Sequence, residues 1–501
     1  MADKSIIIIG AGIAGLSAGC YAQMNGYKSR IFEMHKKAGG LCTSWKRQGY
    51  TIDCCIDWLV GSSPTNPFYR FWAEIGAVQG RQMIDHDEFG RVEGKDGEVF
   101  IMYTNIGRLE QHLKSIAPED GAVIDELVNG LYAATRFPMI IDKAPELYTI
   151  VDLCRMLFKM APHMGFMREW GTVSIQDFAK RFKNPFLREA FPLFFDLPDF
   201  PMMAMLMTLA WMHKKASGYP LGGSLAFSKA VEKRYLDLGG EITYKSSVAK
   251  VLVEGNKAIG IKLADGSEHH ADVVISAADG HSTIFDMLDG KYLDDTIKSY
   301  YEKLPIFPSL VFVGIGVART FNDIAPTGSI ISFPLTAPLT VGGRQLNRLA
   351  VRIHNFDPAL APEGKTIITV FFDSDYRYWK ELKNNPDNYK AEKEEVARNI
   401  IKVLDQRFPG LANQVEMYDV ATPVTFQRYT GNWQGSYEGW LITTKTLRMQ
   451  MKKTLPGLAN FYMAGQWVAP GGGLPSGIMT GRNVVQIICK RDGKKFVTTL
   501  P

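Results

Sequence analysis

The sequence predicts an α/β fold in which a discontinuous Rossmann-like dinucleotide-binding domain is interleaved with an α+β domain. Three observations support this prediction: a strand, glycine turn and helix at residues 5–33, and two later glycine-rich turns, each beside a strand and a helix pattern, near residues 218–224 and 465–477. The long segments between them carry a mixture of strand and apolar helix patterns. The chain has 501 residues, which is more than one core usually holds, so two domains are expected.

The first motif is typical of a nucleotide-binding βαβ unit. An apolar strand pattern at residues 5–9 runs straight into a glycine triplet and a helix pattern. Gly10 permits the tight turn, Gly12 lets the backbone approach a pyrophosphate, and Gly15 lets the helix pack closely on the strand. Glu33 closes the next strand about twenty residues later, where its carboxylate can accept hydrogen bonds from a ribose hydroxyl. The motif predicts dinucleotide contacts from Gly10, Gly12, Ile13, Ala14, Gly15, Glu33 and Met34.

A second glycine turn follows at Gly39-Gly40-Leu41, six residues after the acid. This spacing resembles the second glycine signature of flavoproteins in the amine oxidase and phytoene desaturase superfamily. A nicotinamide dehydrogenase does not need this turn, so the resemblance implies FAD as the cofactor, with Gly39, Gly40 and Leu41 beside it. Relatives usually carry arginine directly after the glycine pair. Here the position is Leu41, so either the guanidinium contact to the cofactor is missing or Lys37 or Arg47 replaces it.

Two later segments are similar to the same superfamily and occur in the same order. The turn at residues 218–224 opens a helix pattern, which is followed by strand patterns and a small-residue turn after residues 271–276. Near the C-terminus, the strand at residues 461–463 exits into a glycine turn, and three consecutive glycines precede a final helix at about 478–489. The resemblance implies cofactor contacts from Val248, Ala277, Ala278, Asp279, Gly465, Gln466, Gly473, Leu474, Pro475 and Ile478.

These segments define the expected domain division. The FAD-binding domain is assigned to residues 1–75, 215–290 and 415–495, and the substrate-binding domain to residues 76–214 and 291–414. The second domain is expected to combine a mixed sheet with apolar helices. Its predicted elements are strands at 98–103, 310–317, 349–354 and 366–372, and a charged helix around 389–407.

Composition excludes several classes of protein. A hydrophobic content of 46% and a charged content of 22% exclude wholesale disorder. The net charge of +5 and the lack of any Lys/Arg block argue against a nucleic-acid partner. The six cysteines form no CxxC pair, so we expect reduced thiols and a cytoplasmic location. No metal-ligand spacing, signal peptide or membrane-spanning run is apparent, which leaves peripheral membrane contact open.

Residues 137–213 are unusually rich in methionine and phenylalanine. Methionine adapts to irregular apolar shapes, so this density favours either a lipid tunnel or a surface that dips into a membrane. An ordinary helical core is the alternative. Basic residues rim this region, as expected at an interface, namely Lys159, Arg168, Lys214 and Lys215.

Taken together, the three signatures are most similar to those of bacterial phytoene desaturases, carotenoid cis–trans isomerases and all-trans-retinol saturases. The resemblance implies an FAD-dependent oxidoreductase that desaturates, saturates or isomerises carbon–carbon bonds of a long apolar polyene, isoprenoid or related lipid. Two alternatives are an amine-oxidase-type flavin oxidase and a non-redox lipid-binding protein with the same fold. The oligomeric state is left open.

Acid–base candidates are sought near the flavin signatures and in the insertion. Asp57 stands where many relatives have histidine, and it is the leading candidate. Asp53 and His213 are weaker alternatives, because Asp53 can brace a turn and His213 can be an interface histidine.

Overall fold

The computed structural model of the chain describes residues 4–324, Gly328 and residues 330–501. Its strands are β1 (Ser5–Ile9), β2 (Lys28–Phe32), β3 (Ser44–Arg47), β4 (Tyr50–Asp53), β5 (Met83–Ile84), β6 (Glu88–Glu93), β7 (Val99–Tyr103), β8 (Tyr219–Pro220), β9 (Glu241–Thr243), β10 (Val248–Glu254), β11 (Lys257–Leu263), β12 (Glu268–His270), β13 (Val273–Ser276), β14 (Leu310–Val317), β15 (Ile330–Val341), β16 (Arg344–Ile353), β17 (Thr366–Asp373), β18 (Val415–Ala421) and β19 (Phe461–Met463). Its α-helices are α1 (Ile13–Met24), α2 (Phe68–Glu74), α3 (Ile106–Ile116), α4 (Gly121–Thr135), α5 (Ile150–Met160), α6 (Met164–Trp170), α7 (Ile175–Ala179), α8 (Pro185–Ala190), α9 (Met202–His213), α10 (Gly223–Asp237), α11 (Asp295–Lys303), α12 (Tyr376–Leu382), α13 (Pro386–Arg407), α14 (Pro423–Thr430) and α15 (Gly473–Arg491).

A parallel sheet forms the centre of the nucleotide-binding region, as the sequence predicts. In the described residues its strand order is β19-β13-β1-β2-β9, so strands from all three glycine-signature regions meet in it. The isoleucines of β1 are buried on both faces. Ile6 and Ile8 pack into the helical layer with α1 and α15, whereas Ile7 and Ile9 pack toward β10 and β11. Burial on both faces explains the unbroken apolar run of this strand.

The first and last of these helices are in close contact. A Cβ built on Gly481 of α15 would lie 2.5 Å from the carbonyl oxygen of Ala14 in α1. Ser17 of α1 donates a hydrogen bond to the carbonyl oxygen of Ile478 at 2.9 Å. The missing side chain at Gly481 therefore allows the two helices to approach, and their N-termini lie together at one edge of the sheet.

The second region contains a mixed sheet. In the part of the chain that the structure describes, its strand order is β18-β14-β17-β16-β15-β6-β7. One face packs on α12 and α13 through residues such as Val313, Val370 and Trp379. Phe312 and Phe371 point to the opposite face, where they line a large cavity. One face of the sheet therefore belongs to a closed core, and the other face forms a wall of the cavity.

The predicted elements agree closely with the observed ones, with three main differences. The strand predicted at 349–354 begins five residues earlier, because it extends the β15–β16 hairpin. The final helix, predicted at about 478–489, also begins five residues earlier, at Gly473 of the third glycine turn. The range 415–495 was expected in the FAD-binding domain, but β18 pairs antiparallel with β14 of the mixed sheet. That strand belongs to the sheet of the second region, and the remaining domain ranges stay predictions.

The methionine-rich segment separates into two different environments. Met202, Met205 and Leu206 of α9 are fully buried in the helical core, so this run follows the ordinary-core alternative. In contrast, none of the described residues of α5 is buried. Among the helices that the structure describes, none combines the length and the apolar character needed to cross a bilayer.

Candidate active site

Two glycine turns meet at the N-terminus of α1. The amide of Gly39 donates a hydrogen bond to the carbonyl oxygen of Ala11 at 2.9 Å, and Gly12 forms a bridge with Gly39. A Cβ built on Gly40 would lie 3.1 Å from the Cα of Gly12. The two turns therefore pack backbone against backbone, and side chains at these positions would separate them. Gly39 and Gly40 have φ angles of 121° and 60°, which favour glycine.

The third glycine turn lies beside the first two. Gly471, Gly472 and Gly473 have φ angles of 97°, 52° and 72° and lead into the N-terminus of α15. A Cβ built on Gly477 would lie 3.6 Å from the amide nitrogen of Ala14. Two helix N-termini thus face the same space, and their free N–H groups make that space suitable for an anion.

These turns open into one large cavity of about 1080 Å³. Most of the predicted cofactor residues line it, as follows: Gly10, Gly12, Ile13, Ala14, Glu33, Met34, Gly39, Gly40, Leu41, Val248, Ala277, Ala278, Asp279, Gly465, Gln466, Gly473, Leu474 and Pro475. Gly15 and Ile478 do not line it. A Cβ on Gly15 would lie 1.9 Å from the carbonyl oxygen of Gly10, and Ile478 is fully buried in the helical layer. Both residues therefore support the cavity wall from behind.

Buried carboxylates shape the nucleotide half of the cavity. Glu33 accepts hydrogen bonds from the amides of Ala11 at 2.7 Å and His35 at 2.8 Å. Burial raises the pKa of Glu33, and these two donors oppose that rise. Asp279 accepts from the amides of Ser282 at 2.7 Å and Trp433 at 2.8 Å, and burial raises its pKa to about 6. The carboxylates fix the loops that surround the nucleotide half.

Asp53 acts as a brace between β4 and α10. It accepts hydrogen bonds from the amide and the hydroxyl of Ser224 at 2.5 and 2.6 Å, and from the amide of Cys55 at 3.2 Å. Burial raises the pKa of Asp53, and the three donors lower it. Although Asp53 borders the cavity, its hydrogen-bonding capacity is used by this turn, which is the structural alternative that the sequence left open.

Asp57 lines the cavity and forms an ion pair with Arg352 of β16. The Arg352 side chain is 8% exposed, and burial lowers its pKa to about 10. Its Nε atom and the Nδ1 atom of neighbouring His354 have no hydrogen-bond partner among the described residues. Burial lowers the pKa of His354 to about 3, so its ring is neutral at neutral pH. The Asp57 carboxylate therefore lines the cavity while it is paired with the Arg352 guanidinium.

His213 lies away from this cavity. Its Nδ1 atom accepts a hydrogen bond from the amide of Ile106 at 3.3 Å, and its ring packs edge-on against Tyr132. His213 therefore joins α9 to the start of α3, which is the role of an interface histidine.

Comparison with known proteins now identifies the family. A family model described as "Flavin containing amine oxidoreductase" matches residues 13–489. The chain belongs to this family. The predicted resemblance and the predicted cofactor, FAD, are both confirmed.

Individual relatives of this flavoprotein are distant. A chloroplastic prolycopene isomerase from Arabidopsis thaliana is 29% identical over 290 residues, which cover 57% of the chain and about half (48%) of that protein. A neurosporene-forming phytoene desaturase from Rhodobacter capsulatus is 24% identical over 506 residues, which cover 96% of the chain and 93% of that protein. A solved variant of putrescine oxidase has a TM-score of 0.62 at 12% identity and covers 98% of the chain and 99% of its own, a likeness of fold. The chain is thus an FAD-dependent oxidoreductase similar to phytoene desaturases and prolycopene isomerases.

The geometry of the flavoprotein fits FAD. The backbone contact between Gly12 and Gly40 leaves no side chain between the turns and the cavity, as a closely approaching pyrophosphate requires. The proposed replacements for the usual arginine are engaged elsewhere: Lys37 donates to the carbonyl oxygen of Ser44 at 2.7 Å, and Arg47 lies 3.4 Å from Asp419. Neither borders the cavity, whereas Leu41 lines it with an apolar side chain, so these two residues do not supply a cation at that point.

Phe195 and Phe200 of the segment rich in methionine and phenylalanine form part of the aromatic wall of the cavity. Other cavity residues escaped the sequence analysis, and one of them is Glu438, which borders the cavity beside the third glycine turn. Arg348 and Arg352 stand four positions apart on β16 and therefore point to the same side of the strand. That spacing on a predicted strand is a usable signal for the arginines. Glu438 lies in an irregular segment and has no comparable periodic signal.

Proposed function

We propose that this flavoprotein desaturates, saturates or isomerises carbon–carbon bonds of a long apolar polyene or isoprenoid lipid. The observation that carries the proposal is the continuity of the cavity, which runs from the glycine turns to a wall of aromatic side chains in the second region. Trp58, Phe89, Phe195, Phe200 and Phe312 belong to that wall. The volume of about 1080 Å³ exceeds the usual range of about 300–1,000 Å³ for a single ligand, which supports a cofactor and a substrate together.

The chemistry divides between the cofactor and the chain. When bound, FAD supplies a two-electron hydride acceptor or donor. The chain orients the substrate along the aromatic wall, excludes water and exchanges protons. The relatives named as phytoene desaturase and prolycopene isomerase support a polyene as the substrate class for this chain.

The test is direct. The protein is purified, its flavin is identified by absorption and mass, and carotenoid or shorter isoprenoid polyenes in detergent micelles are incubated with it in the absence of oxygen. New double bonds, lost double bonds or altered cis–trans isomers, separated by chromatography, support the proposal. Lack of conversion of every polyene, together with peroxide formation from amines in oxygen, would instead favour the amine-oxidase alternative.

A cavity-filling variant sharpens this experiment. Ala350 of β16 borders the cavity, whereas Ala391 of α13 is exposed on the surface. Ala350→Trp is expected to retain FAD and to lose conversion of long polyenes, because the indole occupies the volume that the substrate needs. Ala391→Trp is the matched control and should behave like the parent enzyme. Equal conversion by both variants would place the substrate outside this part of the cavity.

We also propose that α5 rests on a lipid surface. The exposed fractions of Ile150 and Phe158 are 80% and 86%, and Leu157 and Met164 are 63% and 59% exposed. Met164 begins α6, and the other three residues belong to α5. So many large exposed apolar side chains within fifteen residues are unusual on a protein that meets only water. Exposed Lys159 on the same helix suits attraction to anionic lipid headgroups.

Vesicle flotation tests this surface. The double variant Leu157→Ser/Phe158→Ser should bind vesicles with anionic lipid at least several-fold more weakly than the parent. The control replaces Leu236, a 46% exposed leucine of α10, with serine. If both variants bind vesicles like the parent, α5 is not the contact surface.

A further inference from the structure

Glu438 is a carboxyl group without a partner at the junction of the two cavity halves. Its side chain has no hydrogen bond or ion pair with any residue that the structure describes. A Cβ built on Gly473, the first residue of α15, would lie 3.4 Å from Glu438 Oε1. The carboxyl therefore faces the cavity beside the third glycine turn, which carries the last of the predicted FAD-binding residues along the chain.

The backbone around Glu438 is held firmly. The amide of Gly471 donates to the carbonyl oxygen of Trp440 at 3.0 Å, and the amide of Phe307 donates to that of Gly439 at 2.8 Å. The indole N–H of Trp440 donates to the carbonyl oxygen of Trp467 at 3.0 Å. These bonds fix the backbone of the segment against the third turn, so the fold holds Glu438 beside the cavity.

The surroundings of the carboxyl keep it neutral. Burial raises the pKa of Glu438 to about 8, with no cation to oppose the rise. Tyr437 precedes it, and burial together with the nearby carboxylates raises the pKa of this phenol well above its usual value. Asp196 borders the same cavity, and burial raises its pKa to about 6. Arg344 forms an ion pair with Asp373 and partly opposes the rise in the pKa of Asp196.

We propose that Glu438 is the catalytic acid–base residue that exchanges a proton with the substrate. The inference rests on the proposed function. Asp57 is paired with Arg352, Asp53 is used by Ser224, and His213 lies outside the cavity. Glu438 combines a position on the cavity wall with unpaired carboxyl oxygens, and none of those three candidates has both.

The proton and electron balance is simple. When bound, FAD would supply the hydride for saturation or accept it in desaturation. In saturation, Glu438 would give its proton to the carbon next to the one that gains the hydride, and solvent would then reprotonate the carboxylate. In desaturation, the Glu438 carboxylate would take the proton from the carbon next to the one that loses the hydride, and a double bond would form. In isomerisation, the proton added to a polyene carbon returns to the same carboxyl after rotation, with no net electron transfer. Since the group holds its proton at neutral pH, proton donation is the favoured direction.

Glu438→Gln tests the inference, because glutamine keeps the shape and removes the exchangeable carboxyl proton. The variant should bind FAD like the parent and lose polyene conversion by about 10²-fold or more. In heavy water, a parent that saturates or isomerises its polyene should incorporate solvent deuterium into the product, and the variant should not; a parent that desaturates should release substrate deuterium to ordinary water, and the variant should not. Glu363→Gln changes an exposed glutamate in the same way and serves as the matched control.

A second readout uses the protein without its cofactor. A carboxyl whose folded pKa is raised from 4.5 to about 8 stabilises the fold below its unfolded pKa and loses that contribution as the pH rises through 8. The parent should therefore lose stability toward urea between about pH 5 and 8 relative to Glu438→Gln. Its infrared spectrum should also show a protonated-carboxyl band at neutral pH that the variant lacks.

The outcomes are distinct. Loss of conversion with retained FAD, together with the expected titration, supports the inference. Conversion by Glu438→Gln within about threefold of the parent overturns the inference and leaves the proposed function intact. If the parent converts no polyene and instead oxidises amines, the proposed function fails and the inference fails with it.

Discussion

Replacing Gly15 with alanine places a methyl group inside the first glycine turn. The added Cβ would lie 1.9 Å from the carbonyl oxygen of Gly10 and 3.3 Å from the Cβ of Ala277. Real Cβ atoms do not approach closer than 3.0 Å, so Gly10 or α1 must move by about 1.1 Å. Both contacts are with backbone or with a short, stiff side chain, and neither can rotate away. Overpacking of this kind costs about 1–3 kcal/mol.

Two measurements follow this displacement. The free energy of unfolding in urea, measured without FAD, should fall by about 1–3 kcal/mol, and the FAD affinity should fall because the amides at the start of α1 move away from the phosphates. Each factor of ten in affinity corresponds to about 1.4 kcal/mol. Gly165→Ala is the control, since its Cβ meets nothing within 4 Å in α6, and alanine there should stabilise by about 0.5–1 kcal/mol. If Gly15→Ala bound FAD and unfolded like the parent, the assignment of this turn as the cofactor cradle would be refuted.

Three further perturbations probe the polar groups of the cavity. Asp57→Asn should lower the free energy of unfolding by about 1–3 kcal/mol, because Arg352 stays buried without its counter-charge. Adding Arg352→Met to the same chain should recover part of the loss. Strict additivity of the two substitutions in a double-mutant cycle would contradict the pairing. Ser224→Ala removes one donor to Asp53 and should cost about 1–2 kcal/mol in urea unfolding, so an unchanged midpoint would argue against the brace. His354 has a folded pKa of about 3 against 6.5 in its ordinary state, so its contribution to stability is lost as the pH falls below about 6.5. His354→Gln should flatten the decline in unfolding free energy between about pH 6.5 and 4, and an unaltered slope would contradict its burial as a neutral ring.

The cofactor half of the site could be predicted from sequence because its requirements are local. A Cβ on Gly39 would lie 2.5 Å from the carbonyl oxygen of Cys42, so the residue type is dictated by its own turn. The positive φ angles of Gly472 and Gly473 at the start of α15 likewise favour glycine at those positions. Backbone constraints of this kind leave a mark at single positions, and those positions indicated both the sheet and the cofactor.

The substrate half could not be predicted in the same way, since its residues are selected by distant partners. The sequence gives no sign that Asp57 has a charged partner, because Arg352 lies almost 300 residues away and is brought beside it only by β16. His213 ends a helix whose contact with Ile106 depends on the packing of α9 on the start of α3. Glu438 became a candidate because of what is missing around it, and an unmet hydrogen bond leaves no pattern in a sequence.

The hydrogen bond between Ser17 and Ile478 joins residues 461 positions apart, and the last strand, β19, completes one side of the parallel sheet. During synthesis, the first strand and helix therefore emerge long before the segments that cover them. Long-range parallel pairing is slow, and an uncovered sheet edge is prone to association with other chains. We therefore expect FAD to load only after almost the whole chain has been synthesised, and truncation before α15 to give an aggregation-prone product without a flavin.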